Sequence, residues 1–206
     1  MRTFLYSLIT ILIVGSGCAM PLDPVKGKEG LSQMRVLDGV KLISVDVDQA
    51  DDPRCYGQRQ YTVSESSRLL LRYEDLKSVL SKVRLDEPNQ VEIQVSAQNE
   101  KEATTAQHHL KLCPLTLNWM MLATWRAAAP FGSYRWSVPG GDYDLEGCIL
   151  AQTVSKLQLR FNVTPWFIQY PKGRNINYGL ILLADQEVTI IGEQSGADAP
   201  QILWKE

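Results

Sequence analysis

Strict alternation of apolar and polar side chains recurs along this chain in short blocks. Over residues 41–48, Ile43, Val45 and Val47 fall on one side and Ser44, Asp46 and Asp48 on the other. That period of two is the mark of a half-buried strand. Leu69, Leu71 and Tyr73 share a face in "SRLLLRY", Val91, Ile93 and Val95 in "VEIQVSAQ", and Leu110 and Leu112 in "HLKLC". "LQLRFNV" puts Leu157, Leu159, Phe161 and Val163 on one side, and "GLILLA", "EVTII" and "QILW" are short β runs near the end. Only "EDLKSVL", with Leu76, Val79 and Leu80 at helical spacing, predicts a turn or two of helix in the first half. "LTLNWMMLATW" reads as a strand followed by irregular or helical chain, and residues 126–147 read as a long loop. Roughly eight or nine strands separated by turns predict an all-β antiparallel sandwich or jelly roll with one or two short helices.

Residues 159–182 predict their own punctuation. A strand ends at Val163, and Thr164 can accept a free backbone N–H at a helix start. Pro165 suits the first helical position. Trp166, Phe167, Ile168 and Tyr170 then form a short amphipathic helix plugging one end of the sandwich; Pro171 stops it, and Gly179 opens a buried strand.

The N-terminus is organised differently. Arg2 precedes an apolar run from Phe4 to Val14, followed by Gly15-Ser16-Gly17-Cys18. A basic head, an apolar middle and small residues make a secretory signal over 1–17. The run is about half the ~20 residues that span a bilayer as a helix. Residues 18–39, rich in Pro, Gly and charge, read as a flexible tether, and 40–206 as the domain. Val14-Gly15-Ser16-Gly17-Cys18 resembles the lipobox of bacterial lipoproteins, with Gly15 where Leu is usual. The resemblance implies that Cys18 is acylated and becomes the first mature residue. Two or three acyl chains, at about 0.8 kcal/mol per buried methylene, hold a protein stably to a membrane. Ala19 after the cysteine resembles the outer-membrane sorting pattern.

Charge narrows the partners. One of 21 basic residues leaves with the leader, against 23 acidic ones, and no long basic cluster occurs. Nucleic acid is therefore not an expected partner, since phosphate neutralisation needs concentrated Lys and Arg. Export makes a disulfide plausible. Cys55, Cys113 and Cys148 remain beyond Cys18, so at most one bridge forms; Cys113–Cys148 is favoured, with the other pairings open.

The order strand, Thr-Pro, short helix, polar turn, "NYGLIL" resembles the DNRLRE-type domains. These are secreted β-jelly rolls grouped in part with carbohydrate-binding modules. The likeness rests on Phe161-Asn162-Val163-Thr164, with Asn162 replacing an Asp, on Trp166, and on Asn177-Tyr178-Gly179-Leu180-Ile181-Leu182. "SSRLLLRYEDL", "TWRAAAPF", Gly140-Gly141-Asp142-Tyr143-Asp144 and "GADAPQILW" also resemble family segments. Met120 and Met121 stand where an acidic residue is common. The resemblance implies a non-catalytic surface module with sugar polymers as the best-known ligand class.

The residues offer limited chemistry. His108 and His109 are adjacent, and neighbours in a strand point to opposite faces, so they do not readily share a metal. No nucleophile elbow, phosphate loop or dinucleotide fingerprint occurs. Asp142 and Asp144, two apart in a Gly-rich loop, could begin a structural calcium shell or simply accept local backbone N–H bonds. Trp119, Trp125, Tyr134, Trp136, Tyr143 and Trp166 are the aromatic candidates for sugar stacking; the resemblance, which places Trp125 and Trp166 in structural motifs of the family, implies a core role for those two. Tyr134, Arg135 and Trp136, between Gly and Pro, are the leading candidates for ligand contact, with plugging of the core as the commoner explanation for such aromatics. The expectation is a non-enzymatic lipoprotein of the bacterial envelope, membrane-bound through its lipid, that binds a polysaccharide or surface polymer. The alternative is a structural lipoprotein that docks onto another envelope protein through the apolar, Met-rich segment from Trp119 to Trp125.

Overall fold

The computed structural model of the protein describes residues 34–37, 40–51, 57–73, 90–129, 134–169 and 178–205. Within them lie β1 (Met34–Leu37), β2 (Val40–Asp46), β3 (Gln60–Val63), β4 (Ser67–Tyr73), β5 (Val91–Ser96) and helix α1 (Glu100–His109). After α1 come β6 (Leu110–Pro114), β7 (Ile149–Leu150), β8 (Gln152–Thr153), β9 (Gln158–Asn162) and helix α2 (Thr164–Gln169). The chain ends with β10 (Leu180–Ala184), β11 (Val188–Ile191) and β12 (Gln201–Lys205). Two five-stranded antiparallel sheets result, in the orders β1-β12-β5-β9-β8 and β2-β4-β10-β6-β7, with β11 and β3 as a separate pair.

The sheets stack as a sandwich because their inward residues are apolar. Val91, Ile93, Val95, Leu159, Phe161, Ile202 and Trp204 come from the first sheet. Leu42, Leu69, Leu71, Leu110, Leu112, Leu180 and Leu182 come from the second, and all belong to one buried cluster. Burying each such side chain contributes about 1.5–3 kcal/mol. The expected inward sets Val91/Ile93/Val95, Leu69/Leu71/Tyr73 and Leu110/Leu112 are buried as predicted. Ile149–Leu150 pairs with β6 and Gln152–Thr153 with β9, so the chain changes sheets across Ala151, whose N–H bonds Leu110 O at 3.0 Å.

Some local expectations give way. Val47 leaves the strand and is exposed, because Asp46 accepts the Asp48 N–H at 2.9 Å and turns the chain into a 3-10 segment. Leu157 is also exposed, since the tight turn that bonds Val154 N to Gln158 O lifts it clear of β9. The tether does not run to residue 39: Met34–Leu37 pairs with β12, Met34 opposite Lys205. The helical turn expected around Leu76–Leu80 lies outside the described residues, as do Tyr170 and Pro171.

Helix α1 interrupts what reads as polar loop. Asn99 accepts the Glu102 N–H at 3.0 Å, and Ala103 and Ala106 bury one narrow stripe. His108 and His109 end this helix and are not in a strand; both sit where a helix terminus favours cations. In α2, Thr164 does not cap the helix. Its hydroxyl accepts the Val91 N–H at 3.0 Å and faces Val91 O at 3.3 Å, tying the helix to β5, while Asn162 accepts the Thr164 N–H. Trp166 and Phe167 are buried as the plug, but Ile168 is exposed. Among the described residues no helix is long and apolar enough to cross a membrane.

Gly179 fixes the entry to β10. Its φ is +98°, and a Cβ there meets Leu71 O at 2.6 Å and Trp119 Nε1 at 2.8 Å. Gly179→Ala is expected to destabilise the fold by at least about 2 kcal/mol, combining left-handed strain with that clash. Urea unfolding of the two proteins, compared by midpoint at constant slope, measures it.

Candidate functional site

The middle of the second sheet is dry on both faces. Leu69 and Leu71 point into the sandwich, while Leu70 points away from it into a second buried cluster. That cluster holds Ile43 and Val45 of β2, Cys113 of β6, Ile181 of β10, and Leu115, Trp119, Ala123, Ala128 and Trp136. The last five belong to residues 115–148, the excursion between β6 and β7. This stretch is therefore a third layer, a cap laid on the outer face of the sheet, and not an exposed loop.

Covalent and polar contacts hold it there. Cys113 and Cys148 are disulfide-bonded, with Cα atoms 4.1 Å apart and a sequence separation of 35, which closes the cap at its base. Cys55 lies outside the described residues. Two arginines flanking Leu70 on β4 clamp the cap from beneath. The Arg68 guanidinium lies 4.8 Å from the Trp125 ring and 5.7 Å from Tyr143, and donates to Pro139 O at 3.4 Å. Arg72 lies 4.6 Å from the Trp119 ring and donates to Asn118 Oδ1 at 2.6 Å and to Trp119 O. Each stacked pair contributes about 0.5–2 kcal/mol. Burial pulls the Arg68 guanidinium below its ordinary value and Tyr143 pulls it back up; an arginine so placed stays cationic at neutral pH. Gly140, with φ +89°, lets the backbone pass where a Cβ would lie 2.8 Å from Arg68 Nη1 and 2.9 Å from the Trp125 ring.

The expected site residues are distributed through this cap and do not converge. Trp136 is buried, and its indole N–H donates to Thr124 O at 2.9 Å, so it is a packing residue and offers no face to a ligand. Tyr134 and Arg135 are exposed on the cap's far side. Trp119 and Trp166 are buried too, Trp166 donating to Gly147 O at 2.8 Å. Asp142 spends both carboxylate oxygens within its own loop, accepting Ser137 N–H and Val138 N–H, each at 2.8 Å. Asp144 accepts the Gly147 N–H at 3.3 Å. These are turn-stapling roles, and among the described residues no group of three or more His, Cys, Asp or Glu side chains comes together.

What sequence reading missed is where the cap stops. Beyond Tyr143 and Leu145 the outer face of the sheet is uncovered, and an open cavity of about 220 Å³ lies there. Arg68 of β4, Lys111 of β6 and Leu183 of β10 form its floor, and Tyr143 and Leu145 form one wall. Ser64 and Glu65 close a second side, and His109 and Asp185 a third, with His109 Nδ1 2.7 Å from Asp185 Oδ1. The sequence signal was available: on β4, β10 and β6 the outward positions run Leu70 to Arg68, Ile181 to Leu183, and Cys113 to Lys111. Cations thus replace apolar packing on β4 and β6, while Leu183 on β10 between them stays apolar. No profile of a known protein family matches the chain, and no curated protein matches it at a significant level.

Closing a loop of this size by a disulfide is worth about 4 kcal/mol in the chain-entropy account. Cys113→Ala/Cys148→Ala is expected to lower unfolding stability by about that much and to raise hydrogen exchange across residues 115–148, with β5, β9 and β12 less affected. Chemical denaturation and peptide-resolved exchange, with and without reductant, check it.

Proposed function

We propose that the protein is a lipid-anchored, non-catalytic module of the bacterial envelope that binds a glycan or other surface polymer in the open groove beside the cap. Cys18 is the acylated anchor in this reading, the envelope its location, and the DNRLRE-type jelly roll its relative. The single observation that carries the binding role is the composition of the groove. One aromatic and two aliphatic side chains, Tyr143, Leu145 and Leu183, stand among Lys111, Arg68, Ser64, Glu65 and the His109–Asp185 pair. A sugar ring has an apolar C–H face and an equatorial rim of hydroxyls, and this mixture answers both. The phenol and aliphatic groups accept the face, and the charged and hydroxyl tips exchange hydrogen bonds with the rim.

The dimensions favour a polymer. The groove is open and smaller than the ~300–1,000 Å³ that encloses a drug-sized ligand, so it suits one ring of a longer chain whose neighbours lie along the sheet surface. Arg68 contributes less freely than Lys111, because it is also holding Trp125 and Pro139.

The test uses affinity electrophoresis and calorimetry of the folded protein against envelope and extracellular polysaccharides. Retention by at least one polymer is expected. Lys111→Ala with Leu145→Ala, both at exposed positions away from the cap's anchors, is expected to weaken it about tenfold, equivalent to about 1.4 kcal/mol. Folded protein retained by no polymer, or retained equally by the double variant, sinks the proposal.

A further inference from the structure

The far side of the cap carries a second surface of different character. Met120 is 55% exposed, Leu122 45% and Tyr134 52%. Backbone hydrogen bonds gather them: Ala123 N to Met120 O, Met120 N to Ala128 O and Ala128 N to Tyr134 O are each 2.8 Å. The antiparallel bridge between Ala127 and Arg135 sets the exposed Arg135 beside them. Beneath the surface Trp119, Ala123, Ala128 and Trp136 are buried on the sheet. The apolar groups are thus presented by a packed platform, and little ordering remains to be done on contact.

Charge says what covers this surface. Residues 115–141 contain Arg126 and Arg135 and no aspartate or glutamate, in a chain with 23 acidic residues. Arg126 is ion-paired at 2.7 Å with the exposed Asp51, and the Asp142 carboxylate beside this stretch is taken up by the Ser137 and Val138 N–H groups. A thioether, an aliphatic chain, a phenol and a guanidinium, with carboxylates withdrawn, match the boundary between acyl chains and phosphate headgroups. There Tyr keeps its ring in the apolar layer and its hydroxyl in water, and Arg meets phosphate. We propose that the Met120–Leu122–Tyr134–Arg135 face of the cap rests on a phospholipid bilayer, as a second contact beside the N-terminal anchor. The proposal rests on the membrane-bound part of the functional reading and is independent of its glycan-binding part. It also sets an orientation: the face that touches lipid and the groove at the other end of the cap belong to one layer, which presents the groove sideways along the membrane surface.

A benzophenone amino acid placed at position 120, 134 or, as a control in the β8–β9 turn, 157 reads this directly in the full chain. Bacterial cells making each version are illuminated, and the purified protein is weighed. Phospholipid-mass adducts are expected at 120 and 134, several-fold above 157, and Arg135→Glu is expected to reduce the adduct at 134. Lipid adducts absent from both positions, equal at 157, or replaced there by a cross-linked protein, overturn the proposal. Acyl mass on the Cys18 peptide and retention by polysaccharide are measured on the same unsubstituted protein, so failure of the anchor or of the glycan reading is seen separately.

Discussion

The rest of the structure depends on the double burial of one sheet. In β4 and β10 consecutive residues point to opposite faces, yet Leu69, Leu70 and Leu71, and Leu180, Ile181 and Leu182, are all buried. A strand that is apolar on both sides needs a layer on each side, as strands of fully covered sheets do. The first sheet supplies one layer. On that sheet's own outer face Glu92, Gln94 and Arg160 hydrogen-bond across β5 and β9. Among the described residues the sandwich therefore carries an additional layer on its second sheet, and the chain supplies it from the interval between two disulfide-bonded cysteines at a sequence separation of 35.

That requirement reassigns the aromatic residues. A long interval rich in Trp, Tyr, Pro and Gly resembles a recognition loop as long as the sheet beneath it is taken to be wet. Once the sheet is dry outside, Trp119 and Trp136 become the side chains that exclude water from Ile43, Leu70 and Ile181. The pattern Arg68-Leu69-Leu70-Leu71-Arg72 then has a function at each outward position: an apolar residue in the middle and a stacking cation at either end. Asp142 belongs to the same logic. Two buried or half-buried glycines before it and two backbone N–H groups bonded to its carboxylate fold the chain back onto the end of β6.

Much of the sandwich was legible because period-two alternation is a direct image of a half-buried strand. It served well for β5 and β9, where one face is polar. It served poorly where both faces are apolar, since Leu70 within "LLL" carries no phase. The third layer was hidden for that reason, although the run itself was the clue. Helix α1 was hidden by its composition: two alanines make a weak stripe, and only Asn99 followed three residues later by Glu102 marked its start. Cys113 and Cys148 were the favoured pair in the sequence, but the reason for their meeting, β7 returning to pair with β6, is a register fact that spacing does not contain. The groove left only a partial signal, the outward change from Leu70 to Arg68 on β4 and from Cys113 to Lys111 on β6. It is made by the end of a layer whose existence had first to be known.

The position of the groove follows from that ending. A capped sheet face has a perimeter, and along it apolar packing must give way to side chains that tolerate water. On β4 and β6 that change takes place within two residues, from Leu70 and Cys113 to Arg68 and Lys111, with Leu183 of β10 left between the two cations. A concave, mixed surface is the geometric consequence of stopping the third layer before the sheet stops. Arg68 and Tyr143 stand on both sides of this boundary, since they line the groove and also hold the cap. Any ligand that binds the groove only when these two are in place stabilises the cap by RT ln(1 + [L]/Kd). For such a ligand, binding at the rim and burial beneath the cap would be a single coupled equilibrium, with the Cys113–Cys148 bridge restricting the chain that builds both.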